Sequence, residues 1–277
     1  MLHSIKKKVL SAFWPYGKVA KILRGPLKSY CFIVSENSGW SPIVGRWEPE
    51  AHALFIRVVN PGDVVYDLGA NNGIHSLLFS KLVGTAGKVF AFEPLEKNCK
   101  EITTNYEVNN IRNLEVVNVA VGEKKGSMNF FLGLHDKQGS LVGIGRESGK
   151  KIDVPIITID DFITEGNAPP DFIKIDIEGA ESLALNGFAH LIDSIRPLLF
   201  IELHTPEQDT LVGRFLQEHS YEAYRLEGNV VDPALTIPGL KKINDLTQPF
   251  PAVEGIWGTI LAIHPSRISR LKKTLQQ

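Results

Sequence analysis

The segment Val64–Gly73, with the sequence VVYDLGANNG, constrains the fold of this 277-residue chain more than any other. Its apolar beginning is typical of a buried parallel strand, and Asp67 stands near the end of that strand. A glycine-rich turn follows from Gly69 to Gly73, and an apolar helix is predicted to begin at Ile74. Because glycine has no Cβ, such a turn lets a ligand approach the backbone closely. The segment therefore predicts a strand, a ligand-binding loop and a helix in direct succession.

The charge beside this loop narrows the class of ligand. Asp67 would repel a pyrophosphate but attract a cation, which favours S-adenosylmethionine because its sulfonium and α-amino groups are both positive. A dinucleotide fold requires the pattern G-x-G-x-x-G, whereas this chain has Asn71 and Ile74 at the second and third glycine positions. An ordinary turn without a ligand is the remaining alternative, but it leaves the acid and the two glycines unexplained.

A second acid follows at the spacing expected of a ribose-binding residue. The short apolar strand in Lys88–Pro94 ends at Glu93, which lies 20 residues after Gly73. A carboxylate can accept two hydrogen bonds from the vicinal diol of a ribose. Alone, Glu93 would more often be a solvated strand end, but its spacing from the glycine loop favours a role in cofactor binding.

Four motifs together resemble the FkbM family of S-adenosylmethionine-dependent methyltransferases. They are DLGANNG (67–73), EP (93–94), TIDD (158–161) and KIDIEGAE (174–181). The resemblance covers roughly residues 58–204, with an expected continuation to residue 265. It implies a Rossmann-like class I methyltransferase fold, an α/β fold whose mostly parallel seven-stranded sheet has helices on both faces. It also implies methylation of a hydroxyl, often on a sugar or a natural product, but it does not identify the acceptor.

The remaining pattern alternates strands with helices, which favours a parallel α/β sheet. Strands are predicted at 30–34, 64–68, 89–92, 114–121, 172–177, 198–203 and 256–263, the last antiparallel by resemblance. Helices are predicted at 2–10, 49–59, 74–82, 95–108, 180–192 and 207–219. An antiparallel excursion is expected at 128–132. Residues 133–151 are expected to form a long mobile lid or acceptor-contacting loop, and a disordered connection is the alternative. The predicted division is a basic N-terminal extension with a helical cap (1–57), a methyltransferase domain (58–265) and a basic tail (266–277).

Polar side chains follow two of the later strands. Strand alternation puts Lys174, Asp176 and Glu178 on one side, and Glu202 and His204 stand at the end of the next strand. Because open α/β sheets bind ligands at the carboxyl ends of their strands, we expect these groups to converge beside the cofactor. Three carboxylates in one cleft would repel one another, which raises a pKa or recruits a cation.

Each of these residues also has a structural interpretation. Lys174 could simply neutralise a neighbouring acid, and Glu178 and Glu181 could be first-turn acids that interact with a helix dipole. His204 could be a helix-entry residue. His75 could contact a ligand or only satisfy the helix terminus after the loop.

Methyl transfer to an alcohol requires in-line alignment and removal of the hydroxyl proton. In one route His204 or a carboxylate of raised pKa is the base. In the other, Mg²⁺ on Asp176 and Glu202 holds the hydroxyl, and His204 or Lys174 accepts the proton. The predicted catalytic residues are Asp176, His204, Lys174 and Glu202. The predicted cofactor-binding residues are Asp67, Gly69, Ala70, Asn71, Asn72, Gly73, Glu93, Pro94, Asn118 and Asp176.

These observations favour an O-methyltransferase that acts on a small molecule, a sugar or a glycan. Two alternatives stay open: a nicotinamide-dependent oxidoreductase, which the missing glycines disfavour, and a non-catalytic binding protein on a methyltransferase fold. The net charge of −1 combines basic termini with an acidic remainder, which makes nucleic-acid binding by the main domain unexpected. The two cysteines form no CxxC pattern, and reduced thiols fit a cytoplasmic protein.

The basic N-terminal arm has an amphipathic pattern. Leu2, Ile5, Val9 and Phe13 recur at helical spacing, with lysines largely off their face. Such a helix can lie on an anionic membrane surface, and its apolar stripe can equally pack on the domain or on a second subunit. We expect a mainly soluble protein with, at most, salt-sensitive peripheral membrane contact. A homo-oligomer stays open.

Overall fold

The computed structural model describes residues 13–35, 38–132, 139–140, 151–231, 238–249 and 258–269. The strands in these ranges are β1 (Val19–Lys21), β2 (Cys31–Ile33), β3 (Val64–Leu68), β4 (Lys88–Phe92), β5 (Leu114–Val117), β6 (Ala120–Val121), β7 (Gly126–Leu132), β8 (Gly139–Ser140), β9 (Lys151–Ile157), β10 (Phe172–Ile175), β11 (Leu198–Glu202), β12 (Glu222–Val231), β13 (Pro238–Lys242) and β14 (Thr259–Ile263). The helices are α1 (Pro49–Val58), α2 (Ile74–Val83), α3 (Glu96–Glu107), α4 (Ile159–Thr164), α5 (Glu181–Asn186), α6 (Ile192–Ile195) and α7 (Pro206–Glu218), and a 3₁₀ turn spans Pro265–Arg267.

The main sheet has the strand order β13-β12-β14-β11-β10-β3-β4-β5. Strands β11, β10, β3, β4 and β5 pair in parallel, and β14 runs antiparallel between β11 and β12. The expected antiparallel insertion of the last strand is therefore confirmed for Thr259–Ile263. The strand order reverses between the neighbouring central strands β3 and β10, because the chain builds β3, β4 and β5 to one side and β10 and β11 to the other. Ligands of open α/β sheets bind at such a switch point.

Side chains that alternate along the central strands enter two separate layers of core. Val65, Phe172 and Phe200 pack with α1, α2 and α3, whereas Tyr66 and Ile175 pack with α4 to α7. Because both faces are covered by helices, these strands are apolar along nearly their whole length. The predicted arrangement of helices on both faces is confirmed. Asp67 and Lys174 lie at polar positions on the first of these faces, in register with each other.

The number of strands in the predicted sheet was wrong. The described part of the sheet has eight strands rather than seven, because β13 adds an antiparallel edge strand to β12. Neither β12 nor β13 is among the predicted strands. The β12 sequence EAYRLEGNVV mixes charged and apolar residues, so it lacks the regular alternation of apolar and polar residues that predicts a strand.

Two predicted elements are each divided in the structure. The strand expected at 114–121 ends at Val117, and β6 joins a second sheet of order β6-β9-β7-β8. The helix expected at 180–192 is broken into α5 and α6 at Gly187. A Cβ at Gly187 would overlap the carbonyl oxygen of Gly122, so glycine is required where the chain leaves α5 and packs against the neighbouring loop.

The second sheet corrects part of the predicted loop at 133–151. Strand β7 pairs antiparallel with β9, which confirms the excursion expected at 128–132. However, Gly139–Ser140 pairs with β7 and Lys151 begins β9, so the prediction of an unstructured loop is wrong at these positions. Residues 133–138 and 141–150 lie outside the described ranges, and their role as a lid stays a prediction.

The N-terminal part of the described chain packs on the same core as the sheet. Leu54 and Phe55 of α1 belong to one cluster with Phe79, Phe172 and Phe200. The predicted helix at 2–10 lies outside the described residues, and the division at residue 58 stays a prediction. In the described ranges, no helix combines the length and the apolar character needed to cross a bilayer.

Candidate functional site

The glycine loop after β3 is held between two neighbouring strand ends. The N–H groups of Gly69 and Ala70 both donate to the carbonyl oxygen of Phe92 at 3.0 Å. A Cβ added to Gly69 would overlap the carbonyl oxygen of Asp176, and Gly69 has a φ of +77°. Glycine is therefore required there both by the close approach of two backbones and by the left-handed conformation. The structure confirms the predicted succession of strand, loop and helix.

A cleft of about 620 Å³ opens beside this loop at the carboxyl ends of the parallel strands. It is lined by Gly69, Asn71, Phe92, Glu93, Pro94, Leu95, Asn98, Val119, Ala120, Val121, Phe130, Asp176, Ile177 and Glu178. Five predicted cofactor residues are among them: Gly69, Asn71, Glu93, Pro94 and Asp176. Phe130 comes from β7 of the second sheet, and nothing in its local sequence marks it as a pocket residue.

The predicted cofactor residue Asn118 lies behind this cleft rather than in its lining. Its amide donates to the carbonyl oxygens of Glu93 and Pro94, at 2.9 and 3.0 Å. These bonds fix the turn after β4 and leave Val119 and Ala120 to face the cleft. A direct contact of Asn118 with the cofactor stays a prediction.

Glu93 is buried and lines the cleft, and its carboxylate already accepts hydrogen bonds from three donors. Its Oε1 accepts from the N–H of Leu95 (2.9 Å) and the amide of Asn98 (3.2 Å). Among the described residues, its Oε2 accepts from the N–H of Asn71 alone (2.9 Å). Oε2 therefore keeps a lone pair for a further donor such as a ribose hydroxyl. Burial raises the pKa of Glu93 to about 7, against the lowering effect of these three hydrogen bonds.

If Glu93 binds the cofactor as predicted, this environment should make cofactor affinity depend on pH. A raised pKa means that Glu93 is largely protonated below pH 7 and becomes a better acceptor as the pH rises. We expect the Kd for S-adenosylmethionine, measured by titration calorimetry, to fall several-fold between pH 6 and pH 8. Glu93→Gln should weaken binding by about 10-fold or more, as for a charged hydrogen bond lost, and should flatten the profile. If the Kd changed equally with pH in the wild type and in Glu93→Gln, Glu93 would be excluded as the origin of the pH dependence.

Asp67 lies at the base of the loop and is completely buried. The Ser76 hydroxyl donates to its Oδ2, while Oδ1 lies 3.4 Å from Nζ of Lys174 and makes no hydrogen bond with the described residues. The carboxylate thus serves as a counterion for a buried ammonium group. Its direct contact with the cofactor stays a prediction.

Lys174 links the cofactor loop to the acidic groups of the next strands. Its Nζ lies 3.2 Å from Oδ2 of Asp176 and donates to the carbonyl oxygen of Gly69 at 3.4 Å. Burial lowers the pKa of Lys174, but the negative charges of Asp176, Asp67 and Glu48 outweigh it, so the pKa lies above its usual value. The structure confirms the ion pair with Asp176 and favours a fixed positive charge over a proton acceptor.

His204 is oriented by a carboxylate that the sequence pattern assigned to a helix terminus. Glu181 Oε1 accepts from the Gly179 N–H at 2.9 Å and lies 3.0 Å from His204 Nδ1. Burial lowers the pKa of His204, but the hydrogen bond to Glu181 and the charges of Glu181, Asp176 and Glu178 raise it to about 9. These surroundings favour the imidazolium form, and the predicted role of His204 as a base stays a prediction.

The structure brings Asp176, Glu202 and His204 together at the strand ends. His204 Nε2 lies 3.7 Å from Asp176 Oδ1 and 4.0 Å from Glu202 Oε1. Each of the three residues offers one potential metal-ligand atom, and these three atoms lie within 4.8 Å of one another. Burial and the charge of Asp176 raise the pKa of Glu202, while Lys174 and His204 lower it. This acidic cluster adjoins the cofactor cleft, because Asp176 belongs to both.

The N-terminal segment contributes a residue that the sequence did not single out. Glu48, at the start of α1, has Oε2 3.3 Å from Nε2 of His75, which lies in the first turn of α2. Its carboxyl is within electrostatic reach of Lys174, Glu202 and Asp176. Glu48 stands more than 120 residues from the nearest of these three, so no local motif connects it with them.

The strand order and the position of the cleft define a Rossmann-like class I methyltransferase fold. The family model described as "Methyltransferase FkbM domain" matches residues 67–226, which is more than half of the chain. The protein belongs to the FkbM methyltransferase family.

Three individual proteins illustrate the range of similarity. The hexuronic acid methyltransferase AglP of Haloferax volcanii is 24% identical over 175 residues, which cover 62% of this chain and 69% of AglP. Methyltransferase FkbM from Methylobacillus flagellatus KT has 20% identity and a TM-score of 0.46 over 73% of this chain, but the match spans only 43% of that solved chain. The S-adenosylmethionine-dependent O-methyltransferase of Thermotoga maritima has 14% identity and a TM-score of 0.45, covering 90% of this chain and 78% of its own.

Proposed function

We propose that this methyltransferase transfers the methyl group of S-adenosylmethionine to a hydroxyl of a sugar, a glycan or another polyhydroxylated small molecule. One observation carries the proposal: Asp176 lines the cofactor cleft and also contacts Lys174 and His204 in the adjoining cluster. A methyl group held in the cleft would thus face a polar surface that can bind hydroxyls. The name of AglP, a hexuronic acid methyltransferase, adds uronic acids to the candidate acceptors.

In this reaction the acceptor oxygen attacks the methyl carbon in line with the breaking carbon–sulfur bond. The electron pair of that bond stays on sulfur, which gives S-adenosylhomocysteine, and the hydroxyl proton passes to a base. Glu93 and the Gly69 loop hold the donor, while Asp176, Glu202 and His204 can hydrogen-bond the acceptor hydroxyls. Alignment of this kind supplies much of the rate of a methyl transfer.

A divalent cation is a second component of the proposal. The carboxylates of Asp176 and Glu202 suit Mg²⁺, whereas the imidazole of His204 as a third donor fits Mn²⁺ or Zn²⁺ better. Glu181 behind His204 has the position of a residue that orients a metal-bound imidazole. When bound, the cation would lower the pKa of an acceptor hydroxyl.

The function is tested by incubating the protein with S-adenosylmethionine and methyl glycosides of glucuronic acid, galacturonic acid, glucose and mannose. We expect S-adenosylhomocysteine to accumulate in step with a product heavier by one methyl group. Titration calorimetry with S-adenosylmethionine and with NADH separates the alternatives. Binding of NADH alone would support an oxidoreductase, and tight S-adenosylmethionine binding without transfer to any polyol acceptor would support a non-catalytic binding protein.

Removal of divalent ions distinguishes the two chemical routes. If the cation participates, dialysis against EDTA should abolish turnover and leave the Kd for S-adenosylmethionine unchanged, and Mn²⁺ should restore turnover at least as well as Mg²⁺. Full activity after the removal of metal would reject the cation and leave direct proton transfer to a side chain.

A further inference from the structure

Glu48 differs in its partners from the carboxylates that surround Lys174 and His204. Asp67 and Asp176 contact Lys174, and Glu181 and Glu202 lie beside His204. In the described part of the chain, the side chain within ion-pair distance of Glu48 is His75. Burial lowers the pKa of His75 well below its usual value, and Lys174 and His52 lower it further, so this imidazole is neutral. Among the described residues, Glu48 is therefore a carboxyl without a directly bound cation.

The pairing of Glu48 with His75 is built from a constrained backbone. Glu48 has φ 37° and ψ 60°, in the left-handed region, and it precedes Pro49. A residue before proline normally adopts an extended conformation, and glycine or asparagine would tolerate the left-handed region at less cost. Strain of this kind persists where the surroundings enforce it, and it concentrates at functional sites.

The second member of this pair, His75, also has an unusual environment. Its side chain is 6% exposed, and its Nε2 makes no hydrogen bond with the described residues although it lies 3.3 Å from Glu48 Oε2. The side chain of Glu48 itself is 38% exposed. Glu48 Oε2 thus lies against a buried imidazole, while part of the carboxyl side chain is accessible to a ligand.

We propose that Glu48 is a catalytic residue that accepts the proton of the acceptor hydroxyl. The inference rests on the proposed O-methyl transfer. As the acceptor O–H bond breaks, its proton joins a carboxylate oxygen of Glu48. The oxygen lone pair forms the new bond to the methyl carbon, and the pair of the broken carbon–sulfur bond stays in S-adenosylhomocysteine. The exposed part of Glu48 then returns the proton to water.

The electrostatic surroundings suit this role near neutral pH. Burial raises the pKa of Glu48 to about 7; the charge of Lys174 opposes the rise, and the charges of Glu202, Asp176 and Asp67 add to it. A general base is most effective when its pKa lies near the working pH. The titratable and charged groups that face Glu48 are His75, Lys174, Asp67, Asp176 and Glu202, with His52 behind His75.

The test compares Glu48→Gln with the control Glu50→Gln, which removes an exposed carboxylate from the same helix start. With the best acceptor of the glycoside panel, Glu48→Gln should lower kcat by about 100-fold or more and leave the Kd for S-adenosylmethionine within about twofold. At saturating S-adenosylmethionine, where the titration of Glu93 does not limit the rate, the wild-type kcat should rise with pH through about 7, because the base must be ionised. This pH dependence should vanish in Glu48→Gln. Glu48→Asp should restore part of the rate, and Glu50→Gln should match the wild type.

Unchanged cofactor affinity shows that Glu48→Gln is folded, so a loss of rate is not a loss of structure. A kcat within about threefold of the wild type, or retention of the pH dependence near pH 7 in Glu48→Gln, would overturn the role of Glu48 and leave the methyltransferase function standing. Absence of transfer to every acceptor by the wild type would instead remove the proposed function and this inference with it.

Discussion

Asp176→Asn is expected to lower kcat by about 100-fold or more while the Kd for S-adenosylmethionine changes by less than about threefold. Asp176 stands where the cofactor cleft meets the acidic cluster, with Lys174 Nζ at 3.2 Å and His204 Nε2 at 3.7 Å. In the proposed reaction Asp176 is on the side of the site that faces the reacting hydroxyl. Removing its charge should therefore lower kcat more than cofactor affinity. Asp67 remains as a counterion of Lys174, so the fold should tolerate the change.

Steady-state kinetics and titration calorimetry on the same preparation check this expectation. Asp153→Asn is the matched control, because it removes an exposed carboxylate on β9 away from the cleft. Equal turnover of Asp176→Asn and the wild type would reject the assignment. A large loss of cofactor affinity with unchanged kcat would make Asp176 a cofactor ligand only.

Gly69→Ala is expected to lower the free energy of unfolding by on the order of 3–5 kcal/mol, the sum of a left-handed backbone and an overpacked contact. The added methyl group would overlap the carbonyl oxygen of Asp176, which is backbone and cannot rotate away. Any folded fraction should have weakened affinity for S-adenosylmethionine, since the loop must move away from β10.

Gly62→Ala separates the two causes. Gly62 has a φ of +88° and no atom within 4 Å of an added Cβ, so its alanine variant carries only the backbone cost of about 1–2 kcal/mol. Urea denaturation of both variants gives the comparison. If Gly69→Ala were no less stable than Gly62→Ala, the close approach of the two strands would be refuted.

The cofactor half of the site was largely predictable because its information is local. An acid, two glycines and a helix start lie within one short segment, and the positive φ values at Gly69, Asn71 and Gly73 are what that composition favours. Glu93 was predictable because a strand–helix–strand unit sets its distance along the chain. The count of strands was not, since the eighth strand depends on pairing at the sheet edge rather than on its own pattern.

The acceptor half depended more on tertiary structure. The sequence indicated Lys174, Asp176, Glu202 and His204 at strand ends, but not which charges they would meet. The fold places Asp67 and Asp176 against Lys174, and it turns Glu181 from a helix-terminus acid into the partner of His204. Pairing of this kind sets the pKa of each group, because it depends on distance and burial rather than on residue type.

The sequence by itself determined the family, the alternation of strands and helices, and the glycine loop between β3 and α2, because these follow from patterns within a few tens of residues. Only the tertiary structure decided that Phe130 of the second sheet and Glu48 of the N-terminal segment join the site. Both arrive through contacts between elements far apart in the chain, and such contacts are selected by packing of the whole core rather than by any local pattern.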